Sequence, residues 1–249
     1  MKVLDVNINA TNLDQAFSTI DQWITERKKV YVCVAPVSTV VACQKDQEYK
    51  RVVNSADLVT PDGMPLVWIG KMRGFKEIAR TYGPDLMRRI CEQGQAKGYR
   101  HYFYGASAQT LDLLEKKLQN TFSDIEITGK HSPPFGEISD QELNNDLDRI
   151  NEANPDILWV GLGSPKQDFW MHKNRDKLET PVIIGVGAAF DFLSGMKKQA
   201  PRWMQNVGLE WLFRLCSEPR RLWRRYLIGN AVFVFLIVKE FIKSKLIRY

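Results

Sequence analysis

Six short runs of β-branched and aromatic residues recur along the chain, at residues 30–34, 58–59, 101–105, 125–128, 156–161 and 181–186, with helical periodicity between them. Strands that alternate with helices line up in parallel and place their crossovers on the faces of one sheet. Val30-Tyr31-Val32-Cys33-Val34 offers no polar alternate positions and reads as a strand buried on both sides. The pattern predicts an α/β fold: a mostly parallel sheet with helices on both faces. Residues 3–8 alternate like an edge strand. Thr11-Asn12-Leu13-Asp14 reads as a helix cap with an early acid, and the helix it opens carries Leu13, Phe17, Ile20 and Ile24 on one face. One helix is expected over residues 38–55, and another over 141–151.

The run at residues 58–59 ends in Pro61-Asp62-Gly63, and Pro65 is placed to start a helix. Asp62 is thereby held at the carboxyl edge of a parallel sheet, where open α/β folds bind ligands. Asp-Gly is also ordinary turn chemistry, so locally Asp62 is either a reactive carboxylate or a turn residue. Glycine turns close three further runs, at Gly105, Gly161-Leu162-Gly163 and Gly185-Val186-Gly187. They let the backbone approach a phosphate or ribose in front of a helix N-terminus. Neither GxG reaches a third glycine, because Lys166 and Phe190 stand there. A nicotinamide-dependent oxidoreductase is therefore disfavoured.

Arg80 precedes the helix opened by Gly83-Pro84-Asp85, a place unfavourable to positive charge unless an anion lies close. It reads as a phosphate ligand or as a surface charge. Gln167 faces a sugar, a base or water. Asp191, between Phe190 and Phe192, reads as a satisfied structural acceptor. The one Asp-x-Asp, Asp146-Leu147-Asp148, reads as a solvated helix face, and His101, His131 and His172 form no metal motif. Cys33, Cys43, Cys91 and Cys216 contain no CxxC pair, which fits a reducing compartment.

Charge is uneven. From Pro201 onward ten Lys/Arg stand against three acids, so this last fifth carries +7 and the remainder −1. A helix over residues 210–216 is followed by one opened by Pro219. There Arg221 shares a face with Arg224 and Arg225, while Trp223, Tyr226 and Leu227 share another. A basic amphipathic helix with Trp and Tyr suits an anionic membrane surface; a docked helix with a solvated basic face is the alternative. The apolar stretch 231–242, closed by Lys243, Lys245 and Arg248, suits insertion to headgroup depth. Its longest apolar run, residues 231–238, is well short of the ~20 residues that span a bilayer. The N-terminus lacks the apolar core of a signal peptide. The expectation is a cytoplasmic protein, peripheral on the inner face of the membrane. Nucleic acid is disfavoured because the aromatics lie among aliphatics.

Several long motifs, in order, resemble the WecG/TagA/CpsF family of bacterial glycosyltransferases. They are Ala56-Asp57-Leu58-Val59-Thr60-Pro61-Asp62-Gly63-Met64-Pro65, Arg80 with Gly83-Pro84-Asp85, Gly161-Leu162-Gly163-Ser164-Pro165-Lys166-Gln167, Gly185-Val186-Gly187-Ala188-Ala189-Phe190-Asp191, Gly208-Leu209-Glu210-Trp211, and Pro219-Arg220-Arg221-Leu222-Trp223-Arg224-Arg225-Tyr226. The resemblance implies a Rossmann-like catalytic domain over residues 1–200 and a helical, membrane-docking appendage over 201–249. It implies an inverting transferase that uses no metal or other cofactor and moves a sugar from a UDP donor to a polyprenyl-diphosphate-linked sugar. N-acetylmannosamine is the first choice of sugar, glucose or a uronic acid the alternative. Asp62 would act as base, with Arg80, Arg214, Arg221 and Arg224 on the diphosphate. Gln167, Gly161, Gly163, Gly185, Gly187 and Asp191 would complete the substrate site. Two positions depart from the family: Pro36 stands where many members carry Asn, leaving Ser38 and Thr39 as the nearest hydroxyls, and Asp168 replaces the more usual Glu. A non-catalytic scaffold docked on anionic membrane is the reading from another class, and a homo-oligomer is among the open states of assembly.

Overall fold

The computed structural model describes residues 1–136 and 138–246, with side chains described as far as Lys243. A two-stranded antiparallel hairpin, β1 (Lys2–Val3) and β2 (Val6–Asn7), comes first. The main sheet holds β3 (Val30–Ala35), β4 (Leu58–Pro61), β5 (Arg100–Gly105), β6 (Glu126–His131), β7 (Ile157–Gly161) and β8 (Val182–Gly185). Its order is β4-β3-β8-β7-β5-β6, and every neighbouring pair is parallel. The fold is α/β and Rossmann-like. Alternate residues of β3 feed two cores: Val30, Val32 and Val34 pack on one face, Tyr31, Cys33 and Ala35 on the other. That is the burial its uninterrupted apolar sequence requires.

Several elements differ from the sequence reading. Residues 3–8 are a separate hairpin and not an edge of the sheet, because Leu4 (φ 49°) and Asp5 (φ 61°) both take the left-handed conformation of a tight hairpin turn. The helix expected over 38–55 is two helices, Val37–Lys45 and Gln47–Asn54. Asp46 is extended between them, and its carboxylate accepts the Tyr49 N–H at 2.9 Å. The strand expected at 125–128 runs on to His131. Asp146 is not solvated. It is buried, accepts the Tyr104 hydroxyl at 2.9 Å and lies 2.9 Å from His131 Nε2.

The helices from Arg202 onward pack back on the sheet domain. Arg202 makes a bidentate pair with Asp85 at 2.8 and 2.9 Å, and Arg73 pairs with Glu240 at 2.9 Å. Leu222 is buried, and Phe233 enters a main core from the last helix, Gly229–Leu246. Among the described residues no helix is long and apolar enough to cross a membrane. The side chain of Lys245, and all of Arg248, lie outside the described residues.

Candidate active site

Parallel strands bring five carboxyl ends, those of β3, β4, β5, β7 and β8, to one rim. A polar cavity of about 560 Å³ opens there. Its floor is the run of glycine turns: Gly161, Gly163, Gly185 and Gly187 all line it. Gly163 has φ +79°, which favours glycine, and a Cβ at Gly185 would lie 2.8 Å from Gln167 Nε2 and press on that side chain. Gln167, in the first turn of the helix Lys166–Asn174, is buried, and its Oε1 accepts the Gly163 N–H at 3.1 Å. It holds the shape of the turn and closes one wall of the cavity.

A second, apolar groove of about 510 Å³ runs between the helix Met64–Met72 and the C-terminal helices, with Trp68, Ile69, Trp211 and Phe233 among its walls. Four residues line both spaces: Pro36, Asp62, Arg214 and Arg225. Asp62 therefore stands at a junction. It follows β4, its N–H donates to the Ala35 carbonyl at 3.2 Å, and Gly63 then caps the helix Met64–Met72. Protein surrounds it, yet its side chain keeps 19% of its surface open to the junction. Burial pushes its carboxyl above the usual carboxylate range, and Glu210 adds to this. Arg80, Arg214 and Arg225 pull the other way.

The structure divides the expected arginines. Arg214 lies over the Phe192 ring at 5.3 Å and lines both spaces. Arg221 lines the polar cavity, its Nε donating to Glu218 at 2.6 Å. Arg224 lines neither space; its guanidinium lies over Trp223 at 5.2 Å. Arg225, four residues after Arg221 and on the same helix face, lines both spaces instead; residues Arg224–Ile228 form a π-helical turn in which the Gly229 N–H reaches back five residues to the Arg224 carbonyl. Arg225 Nε donates to Ser38 Oγ at 3.0 Å. Arg225 is exposed, and it lines both the polar cavity and the groove. Tyr226 turns with it into the groove, away from the exposed Trp223 and Leu227.

Arg80 does not line the polar cavity. Its Nε donates to the Asp62 backbone carbonyl at 2.6 Å, Nη2 lies 3.4 Å from Asp62 Oδ1, and the same Nη2 makes a short ion pair with Glu210. The anions that justify a cation before this helix are thus two carboxylates of the protein itself. Asp191 is partly open, lines the polar cavity and pairs with Lys197 at 2.9 Å. Ser38 lines the groove; Thr39 is buried and lines neither space. Asp168 is buried too, and accepts the Tyr49 hydroxyl at 2.6 Å.

Glu210 and Lys197 were not singled out from the sequence, and Arg225 was placed on a face with Arg221 and Arg224 without a role in the site. Of the first two, only Glu210 carried a signal, as an acid beside Trp211. Among the described residues no three His, Cys, Asp or Glu side chains are grouped to hold a metal ion. The cations that ring the polar cavity are Arg214, Arg221, Arg225 and Lys197.

The family model of the WecG/TagA/CpsF glycosyl transferases matches residues 1–246. An N-acetylglucosaminyldiphosphoundecaprenol N-acetyl-beta-D-mannosaminyltransferase of Bacillus spizizenii is 32% identical over 205 residues, which is 82% of this chain and 77% of the relative. The protein of the same name from Bacillus subtilis is 31% identical over 237 residues, 92% of this chain and 90% of the relative. A match of this extent, over a rim built from the same motifs, shows that the chain belongs to the WecG/TagA/CpsF family of glycosyltransferases.

Proposed function

We propose that this glycosyltransferase moves an N-acetylmannosaminyl group from a UDP donor to an N-acetylglucosaminyl-diphospho-polyprenol acceptor, with inversion, at the inner face of the membrane. One observation carries this reading: a single carboxylate, Asp62, lies where a polar, cation-ringed cavity meets an apolar groove. The cavity suits a nucleoside diphosphate sugar, with glycine turns against the phosphates and ribose. The groove suits the first isoprene units of a lipid carrier. The named activity of the two Bacillus relatives supports the choice of both sugars.

The reaction is one in-line displacement. The acceptor hydroxyl oxygen bonds to the anomeric carbon while the bond from that carbon to the diphosphate oxygen breaks, and the electron pair leaves on UDP. Asp62 takes the hydroxyl proton. Arg214, Arg221, Arg225 and Lys197 face the charge that grows on the departing diphosphate.

The test uses UDP and a short-chain polyprenyl-diphosphate N-acetylglucosamine. UDP raises the melting temperature, and UDP release with UDP-N-acetylmannosamine exceeds that with other UDP-sugars. A chain that takes no UDP, or transfers a different sugar faster, overturns the reading. Membrane docking rests on exposed Trp203, Trp223, Leu227, Ile228 and Phe235, interleaved with Arg220, Arg224 and Lys239. The protein is expected to float with anionic vesicles and to be released as salt rises; equal recovery with neutral vesicles removes the electrostatic part.

A further inference from the structure

Glu210 belongs to the C-terminal helices and lies 130 residues from Arg80 in sequence, yet the two form the tightest ion pair near Asp62. An arginine beside one carboxylate makes two parallel N–H···O bonds to it. Here the fork is divided. Arg80 Nε goes to the Asp62 backbone carbonyl, Nη2 goes to Glu210, and the Asp62 carboxylate is left at 3.4 Å. Glu210 is itself held: its other oxygen accepts the Tyr82 hydroxyl at 2.8 Å. The ring of Tyr82 lies under the Arg80 guanidinium at 3.9 Å, and Gln205 Oε1 is 3.5 Å from Nη1. Glu210 lines the apolar groove but not the polar cavity, so it has no part in holding the nucleotide.

We propose that Glu210 is a positioning residue: by holding Arg80 it keeps the guanidinium from closing on the Asp62 carboxylate, and so leaves Asp62 able to take the acceptor's proton. The inference rests on Asp62 being the base, as argued above. A carboxylate closed on by an arginine loses about 1–3 units of basicity, and a weaker base transfers the proton more slowly. The charged groups that face Asp62 are Arg80, Glu210, Arg214 and Arg225. Glu210 is the one anion among them. Because it arrives on the appendage, an appendage lifted from the sheet would let Arg80 close on Asp62, and the base would be weakest when the enzyme is not assembled for transfer.

The experiment is the pH profile of kcat for the full chain at saturating UDP-N-acetylmannosamine and short-chain polyprenyl-diphosphate N-acetylglucosamine. With E210Q the acid limb moves down by about one pH unit and the rate at neutral pH falls about tenfold, while UDP affinity is unchanged. R80Q/E210Q removes both charges together and leaves no lone buried guanidinium, so its limb returns to the wild-type position or above. An E210Q limb that coincides with wild type overturns the proposal. Where E210Q is not recovered folded, a double variant whose limb lies below wild type overturns it. D62N in the same assay separates the two levels of argument. Near-wild-type turnover there removes the base itself, whereas an inactive D62N with an unmoved E210Q limb removes only the role of Glu210.

Discussion

Asp62→Asn is expected to slow transfer by about 10²–10⁴ while UDP affinity holds. The amide fills the same space at the junction of cavity and groove but cannot accept the proton. Stability is expected to hold as well, and the direction follows from linkage. Burial raises the Asp62 carboxyl above its unfolded range, so the folded protein binds that proton more tightly than the unfolded chain does. Stability from this group is therefore fully present below the unfolded value and declines as pH rises through the folded one. Asparagine imitates the protonated form, so near neutral pH its melting temperature should equal or slightly exceed that of the wild type. Initial rates of UDP release and a thermal melt suffice. A variant with normal folding and more than a tenth of wild-type turnover would end the assignment of the base.

Arg225→Ala carries the second large effect. This guanidinium lines both the polar cavity and the apolar groove and donates to Ser38, so on the proposed mechanism its loss removes a cation from the departing diphosphate. Removal of one such donor costs about 10²–10³ in kcat. Arg224→Ala is the informative partner. Its side chain rests on the exposed Trp223 outside both spaces, so its loss should change kcat by no more than about twofold. Equal losses in the two variants would mean that lining the two spaces does not set Arg225 apart from Arg224.

That contrast marks where sequence reasoning runs out. Helical periodicity puts Arg224 and Arg225, three and four residues on, both near the face of Arg221, and so does not choose between them. The folded chain makes the choice: Arg225 reaches Ser38 and lines both spaces, while Arg224 rests on Trp223. Glu210 was hidden for another reason: its partner lies far away in the chain, and only folding brings them together. Asp146 looked solvated because its helix is polar, yet Tyr104 of β5 and His131 of β6 bury it. By contrast the sheet was legible almost throughout, since strands buried on two faces need uninterrupted apolar runs. The exception was β6, where Gly129 breaks the β-branched pattern because the Tyr102 ring leaves no room for a Cβ. Asp62 was legible because a proline-bounded strand end and a helix start bracket it within a few residues.

The clasp between Arg73 and Glu240 has a consequence for the order of events during synthesis. All six strands of the sheet have been translated once Gly185 is made, and a nascent chain can close that sheet while still on the ribosome. Glu210, Arg214 and Arg225 emerge later, and the helix Gly229–Leu246 can pair with Arg73 only once Glu240 has been made. On the proposed mechanism, competence to handle an activated sugar thus arrives only after the sheet is complete.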